Sequence, residues 1–403
     1  MTGHTELIEL LERVLPHADR RRDDFYDLLP WIGFQHRPAG ATWPAEDKAA
    51  IVQILERQAE LRIFHEHTQY FYGSAVIVTY EQLVDWLLMR ASRVGAAQAV
   101  ADVERYLSSN DIPYTVVAAI AGVEVSAGCE LGGKVRIIPF SEVPDSLPKR
   151  IHDHRPLDHW PLRAEPKAAL ILTTSLPRRH EPHQVAILGG FGIPQTLYEA
   201  ALLLTMSGPS AVGIMAAWPT PAEWVPCGHL CGNFAWSSAL WGGEPGRSRL
   251  LNNEDLDSAR TLHQAYLALP SVRRGALEIP LRRLNQALRR VDPVDAAVDL
   301  AVALETLFLP EYGPGRGEIG LSLRLRAARF LATGAADRQA VSKLVHGIYR
   351  IRSAGAHTGK APEKAEGLAT SELLQRGYDL TVRALEKAIK QGLPDDWNAV
   401  LLE

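Results

Sequence analysis

From Asp255 to the C-terminus, apolar residues recur at three- and four-residue spacing with few interruptions, a pattern that restricts this stretch to packed α-helices. The spacing predicts helices over Asp255 to Ala268, Arg274 to Val291, Val294 to Leu309, Leu321 to Ala332, Arg338 to Arg352 and Ser371 to Gln391. Asp292-Pro293 marks one boundary, because proline suits a first helical position, where its missing N–H costs nothing. Pro310 to Gly320, with four glycines and two prolines, reads as a loop, and Ala361 to Ala369 as a polar connection.

The preceding residues divide in two. Glu6 to Leu15, Ala45 to Ile63 and Tyr80 to Leu107 keep the helical period, with a Trp- and Pro-rich loop from Leu29 to Pro44. After residue 109 the pattern turns strand-like. Tyr114 to Ile120 and Ala168 to Thr174 are apolar runs, while Val123 to Val125 and Val135 to Ile138 flank the turn signal Gly132-Gly133. Tyr198 to Met206 reads as a buried helix and Trp218 to Trp241 as loops or short strands. The expected fold class is a multidomain α+β protein. It has a helical N-terminal region (1–108), a mixed α/β middle region (109–254) and an all-α C-terminal bundle (255–403).

Bulk properties narrow the function classes. A chain of 403 residues is expected to hold two or three domains with ordinary cores, and its charge is balanced at −4. The longest apolar candidate, Ile187 to Trp218, is broken by five glycines and two prolines, so no membrane span is expected. The opening residues Met1 to Glu6 lack a basic and apolar leader pattern, and three cysteines cannot build a disulfide framework. The expected compartment is the cytoplasm.

Several constellations read as structural. Cys227, His229 and Cys231, with Cys129 as a fourth candidate, form one crowded cluster rather than the two separated ligand pairs of a structural zinc site. His65 and His67, His152, His154 and His159, and His180 and His183 lack the spacing that sets two metal ligands on one helix face. Gly189-Gly190-Phe191-Gly192 has no lysine of a phosphate loop. No metal and no cofactor are expected.

The remaining motif lies at Ile348-Tyr349-Arg350-Ile351-Arg352-Ser353-Ala354-Gly355-Ala356-His357-Thr358-Gly359. Arg352 is a permanent cation that can fork onto phosphate oxygens. His357, five residues on, is the side chain best suited to move a proton near neutral pH. From Val272 to Lys360 there are 15 Lys and Arg against 8 Asp and Glu, so this module is basic on an acidic chain. Arg324 and Arg326 are open to two readings, contacts to an RNA backbone or a solvated, salt-bridged helix face.

With the helix Asp299 to Phe308 and the Arg- and Ala-rich helix Leu321 to Leu331, this motif resembles the HEPN superfamily, and within it the Apea-like branch of prokaryotic anti-phage proteins. The likeness spans about residues 273–391 and rests on the branch's Tyr-x-x-Arg-Ser-x-x-x-His signature. Ala356 stands where the family usually has a bulky aliphatic residue, and Thr358 separates His357 from Gly359.

The resemblance implies a homodimeric, metal-independent endoribonuclease. In it, the 2′-hydroxyl of RNA attacks the neighbouring phosphorus, leaving a 2′,3′-cyclic phosphate and a 5′-hydroxyl. Arg352 and His357 are then the catalytic pair, Ser353 a supporting residue, and the HEPN domain the dimerisation surface. Glu305 either orients Arg352 by an ion pair or is a plain packing residue. An anti-phage effector is implied, with residues 1–254 receiving a phage-derived trigger or a regulatory partner. The other reading is a catalytically inactive HEPN module for dimerisation or nucleotide binding.

Overall fold

Side-chain capping sets where the best-defined helices begin. In the computed structural model, which describes residues 4–18, 42–72, 74–144, 146, 149, 165–182, 192–207, 210–230, 235–236, 248–310 and 319–402, the Gln82 backbone N–H donates to Thr79 Oγ1 at 3.3 Å. The Thr79 N–H returns the bond to Gln82 Oε1 at 2.9 Å. Asn252 and Asp255 repeat this box at 2.9 and 3.1 Å. Each box satisfies two donors that a helix start otherwise leaves unpaired.

The chain forms two units. The first comprises Met1–Val117, Thr173–Gly192 and Trp218–Ala235. It contains α1 (His4–Val14), α2 (Ala45–Glu56), α3 (Arg62–Glu66), α4 (Tyr80–Val94) and α5 (Ala96–Ser108). The run expected from Tyr80 to Leu107 divides at Gly95 into α4 and α5, and the helix expected to reach Ile63 stops at Glu56. Leu7, Leu11, Phe64, Leu83, Leu87 and Tyr106 fill the core of this unit. Buried Asp102 accepts from Arg90 Nε at 2.8 Å and ties α5 to α4. A small antiparallel sheet orders β2 (Ser74–Val76), β1 (His67–Phe71) and β8 (Arg179–Pro182) side by side. Cys227 is buried in this unit, its Sγ 3.5 Å from the Gln82 carbonyl oxygen, and burial pushes the thiol's pKa up, so it stays neutral. Cys231, His152, His154, His159, His183 and Gly189-Gly190 lie outside the described residues.

The second unit comprises Ala118–Leu172, Ile193–Ala217 and Trp236–Glu403. The main sheet has the order β10 (Ala235–Trp236), β9 (Gly213–Pro221), β3 (Asp111–Ala121), β7 (Ala168–Pro177), β6 (Val135–Pro139), β5 (Cys129–Gly132). The unit boundaries cut β3, β7, β9 and β10 along their lengths. In the antiparallel ladder Ile137 faces Cys129 on one side and Leu170 on the other. The turn at Gly132-Gly133 joins β6 to β5, not to Val123–Val125 as the sequence pattern suggests. That segment, β4, pairs in parallel with β11 (Arg249–Leu251), and a parallel pair needs the long connection that the intervening chain provides.

The helices of this unit are α6 (Gln195–Leu204), α7 (Asn253–Ala268), α8 (Ser271–Arg289), α9 (Pro293–Phe308), α10 (Ile319–Leu331), α11 (Ala335–Thr358), α12 (Thr370–Gln391) and α13 (Trp397–Leu402). Asp292 caps α9 by accepting from the Val294 N–H at 2.7 Å, with Pro293 opening the helix as expected. Leu300, Leu304, Phe308, Leu323, Val345, Ile348, Ile351, Leu373 and Leu385 are buried among these helices. Rings of Phe308, Phe330 and Trp397 meet edge to face at 5.7 to 5.9 Å. The connection expected from Ala361 to Ala369 holds a short hairpin, β12 (Lys364–Ala365) and β13 (Leu368–Ala369). Within this unit Asn285 Nδ2 donates to Thr205 Oγ1 at 2.7 Å and to the Val212 carbonyl at 2.9 Å. The fold class is mixed α+β, with sheets in the middle of the sequence and a helical C-terminal region. No helix among the described residues is long and apolar enough to cross a membrane.

Candidate functional site

The helix carrying the Arg352 and His357 motif is longer than its sequence pattern suggests. The expected end is Arg352, but α11 runs unbroken to Thr358. Ser353, Ala354, Gly355 and Ala356 are small and include no proline, so nothing stops the helix there. It ends where Gly359 takes a left-handed φ of 69° and its N–H caps the Gly355 carbonyl at 2.8 Å. Gly355 has a different job. A Cβ at this position would collide with the Val294 side chain, so the glycine lets the start of α9 press against the last turns of α11.

Farther along α9, Glu305 meets Arg352. Arg352 Nη1 donates to Glu305 Oε1 at 2.6 Å, and the Tyr349 hydroxyl donates to the same oxygen. Tyr349 precedes Arg352 by three residues, so both project from one face of α11. The Arg352 guanidinium also lies 5.2 Å from the centre of the Tyr349 ring. Side chains of Arg352 and Glu305 are 36% and 27% exposed, enough to leave the cluster open to a solvent-borne ligand. Sequence reasoning passed over Tyr349 as a site residue, although its three-residue spacing from Arg352 was the available signal.

His357 sits on the last turn of α11, exposed, with no hydrogen bond or ion pair among the described residues. On a continuous helix, five residues place His357 about 140° around the axis from Arg352 and about 7.5 Å along it. The two side chains of one protomer therefore leave the helix in different directions. His357 shares its face with Ser353, Arg350 and His346, which recur at helical spacing. Ser353 is exposed. Arg350 Nη1 lies 3.4 Å, and His346 Nε2 3.6 Å, from Glu366 Oε1 in the hairpin turn, where Glu366 holds an unusual positive φ of 51°.

The arginines of α10 differ from each other. Arg324 is half-buried and its Nε donates to Ser342 Oγ at 3.2 Å. Arg326 is buried; its Nη1 donates to the Phe308 carbonyl at 2.9 Å and its guanidinium lies 5.4 Å from the Trp397 ring centre. This geometry does not fit an RNA-backbone contact by Arg326, because its charged head is turned inward to hold α9 and α13. Neither reading of the sequence, phosphate contact or solvated face, describes it.

Six residues before Glu305 on α9, Asp299 is buried between two cations. Its Oδ1 accepts from Arg283 Nη1 at 2.7 Å and its Oδ2 from Arg290 Nε at 2.8 Å. The hydrogen bond to Asp299 raises the Arg290 pKa further. This network fixes α8 against α9 and so fixes the base from which Glu305 projects. No group of three side chains able to hold a metal occurs among the described residues.

The arrangement can bind an anion at Arg352 and offer a proton acceptor or donor at His357. No protein-family model, no curated protein and no solved structure matches this chain.

Proposed function

We propose that this protein is a metal-independent endoribonuclease of the HEPN type, working as a homodimer, and an effector of anti-phage defence. The observation that carries the reading is the Glu305–Arg352 ion pair with Tyr349 on the same carboxylate oxygen. It presents a cation of fixed orientation on the helix that ends in an exposed histidine. Arg352 would hold the scissile phosphate and stabilise its growing negative charge, which a preorganised cation does without reorganising. His357 would take the 2′-hydroxyl proton as that oxygen attacks phosphorus, or deliver a proton to the departing 5′-oxygen. The products are a 2′,3′-cyclic phosphate and a 5′-hydroxyl.

A dimer supplies what one helix lacks. Because Arg352 and His357 diverge around α11, a single phosphodiester is more easily served by the arginine of one protomer and the histidine of its partner. Leu321 and Leu325, exposed four residues apart on α10, are apolar surface of the kind that a second copy covers. The defence role rests on the resemblance alone, as does the assignment of residues 1–254 to a trigger or regulatory partner.

The alternative is a catalytically inactive module for dimerisation or nucleotide binding. It is favoured by the same divergence and by the pairing of Arg352 with Glu305. Purified protein incubated with tRNA and total RNA, with and without EDTA, separates the two. Cleavage that survives EDTA and falls about 10²- to 10⁴-fold in both His357→Ala and Arg352→Ala supports the nuclease. Cleavage untouched by His357→Ala sinks it. If wild-type protein is silent for want of a trigger, toxicity on expression, relieved by the same two variants, decides.

A further inference from the structure

His67 and His180 are 113 residues apart in the sequence, yet both lie in the first unit with their Nδ1 atoms 3.0 Å apart. In the β1–β8 ladder Gln69 faces His180 and His67 faces Pro182, so the two histidines share one side of the sheet. Their rings stand 5.2 Å apart at 49°. Two imidazole nitrogens at this distance share one proton, one donating and the other accepting. A second proton would set N–H against N–H.

Arg178 stands two residues before His180. Its guanidinium lies 5.4 Å from the centre of the Tyr106 ring, and the Tyr106 hydroxyl donates to Oε1 of Gln69, the residue opposite His180. Arg178 Nη1 is buried and has no hydrogen-bond partner among the described residues. No carboxylate pairs with Arg178 among the described residues. Glu181, the carboxylate of β8, is held by Arg179 at 2.8 Å and by Tyr70 at 3.3 Å. Burial, with the positive charges of Arg178 and His67, keeps the His180 pKa below its ordinary value. Charged groups on the neighbouring helices are engaged elsewhere. The His65 ring stacks on Tyr80 at 5.3 Å, Arg105 lies over Trp224 at 4.0 Å, and Glu104 pairs with His4.

We propose that Arg178, His180 and His67 form a binding site for a phosphate dianion. A buried guanidinium N–H without an acceptor is costly, and an oxyanion removes that cost. The arginine fork matches phosphate geometry. A dianion also lets both imidazoles donate, so the pair takes up a proton as the ligand arrives. A divalent metal between the two imidazoles is disfavoured by the fixed charge of Arg178. The site belongs to the first unit and does not depend on the nuclease reading.

Calorimetric titration of the protein with inorganic phosphate near pH 8, where the ligand is mostly dianion already and releases few protons of its own, in two buffers of different ionisation enthalpy, tests it. Saturable binding with net proton uptake is expected, with acetate binding more weakly. Arg178→Gln and His180→Gln each weaken phosphate at least about tenfold, the worth of one charge-assisted hydrogen bond. Arg179→Gln, on the opposite face of the sheet, leaves it unchanged. Should Arg178→Gln fail to fold by circular dichroism, Arg178→Lys keeps the charge, loses the fork and is expected to weaken binding in the same direction. Absence of saturable phosphate binding by folded wild type, or binding unaltered by the Arg178 variants, overturns the proposal. Zinc binding that releases protons and is lost in His67→Gln, with no phosphate binding, overturns it in favour of a metal site.

Discussion

Two carboxylates six residues apart on α9 meet arginines in opposite circumstances. Asp299 is buried, with both oxygens taken by Arg283 and Arg290. Glu305 is part exposed, and both of its donors, Arg352 and Tyr349, converge on one oxygen. The first network is closed at its carboxylate, since Asp299 is 2% exposed with both oxygens taken, although Arg283 and Arg290 reach the surface much as Arg352 does. The second is open to water, and its arginine can exchange or share its carboxylate with an incoming anion at low cost. The same chemistry therefore serves cohesion in one place and recognition in the other, and burial decides which.

The comparison is broken most directly at Asp299. Asp299→Ala removes a buried carboxylate that accepts from two part-exposed arginines and is expected to cost about 3 kcal/mol in urea unfolding. Glu305→Gln, at the open site, should cost no more than about 1 kcal/mol, since part-exposed pairs contribute little. If the two variants unfold alike, the distinction between closed and open networks fails. Between them comes Gly355→Ala, whose added methyl meets Val294. We expect about 1–3 kcal/mol of destabilisation, with part of it restored in the double variant Gly355→Ala, Val294→Ala, as measured by denaturant midpoints.

The smallest effect sharpens the same contrast through pH. His263 on α7 is buried, and burial lowers its pKa despite a 3.3 Å contact between Nδ1 and the Leu131 carbonyl oxygen. Its folded pKa thus lies below the ordinary histidine value of about 6.5. As pH falls through 6.5 the unfolded chain takes a proton that the folded chain refuses, so stability declines until the lower folded pKa is reached. Denaturant midpoints between pH 7.5 and 5.5 should slope downward with acid, and His263→Gln should flatten that slope. An unchanged slope would show that His263 is not protonated differently in the two states.

Local signals in the sequence were legible where they act locally. Asp292-Pro293 marked the start of α9 because a cap and a first-turn proline are decided by neighbouring residues. The alternating Val135 to Ile138 segment read as a strand for the same reason. What escaped was contact over distance. The expected helix stops at Arg352, and only the packing of Val294 shows why the observed one keeps a glycine at 355. The parallel pairing of β4 with β11, and the meeting of His67 with His180, depend on residues more than a hundred positions apart. At the candidate site the sequence identified Arg352, His357 and Glu305 as the residues to examine. It did not reveal that Tyr349 shares the Glu305 oxygen, nor that Arg326 is spent inside the bundle.

Because α11 continues without a break from Arg352 to its cap at Gly359, the helix acts as a ruler. The angular offset between the two motif side chains is set by residue count rather than by loop conformation. Inserting a single alanine after Ser353 would swing His357 by about 100° and push it about 1.5 Å outward while leaving every residue identity intact. Spacing in this segment is thus as much a chemical parameter as the choice of arginine or histidine, and it can be altered one step at a time.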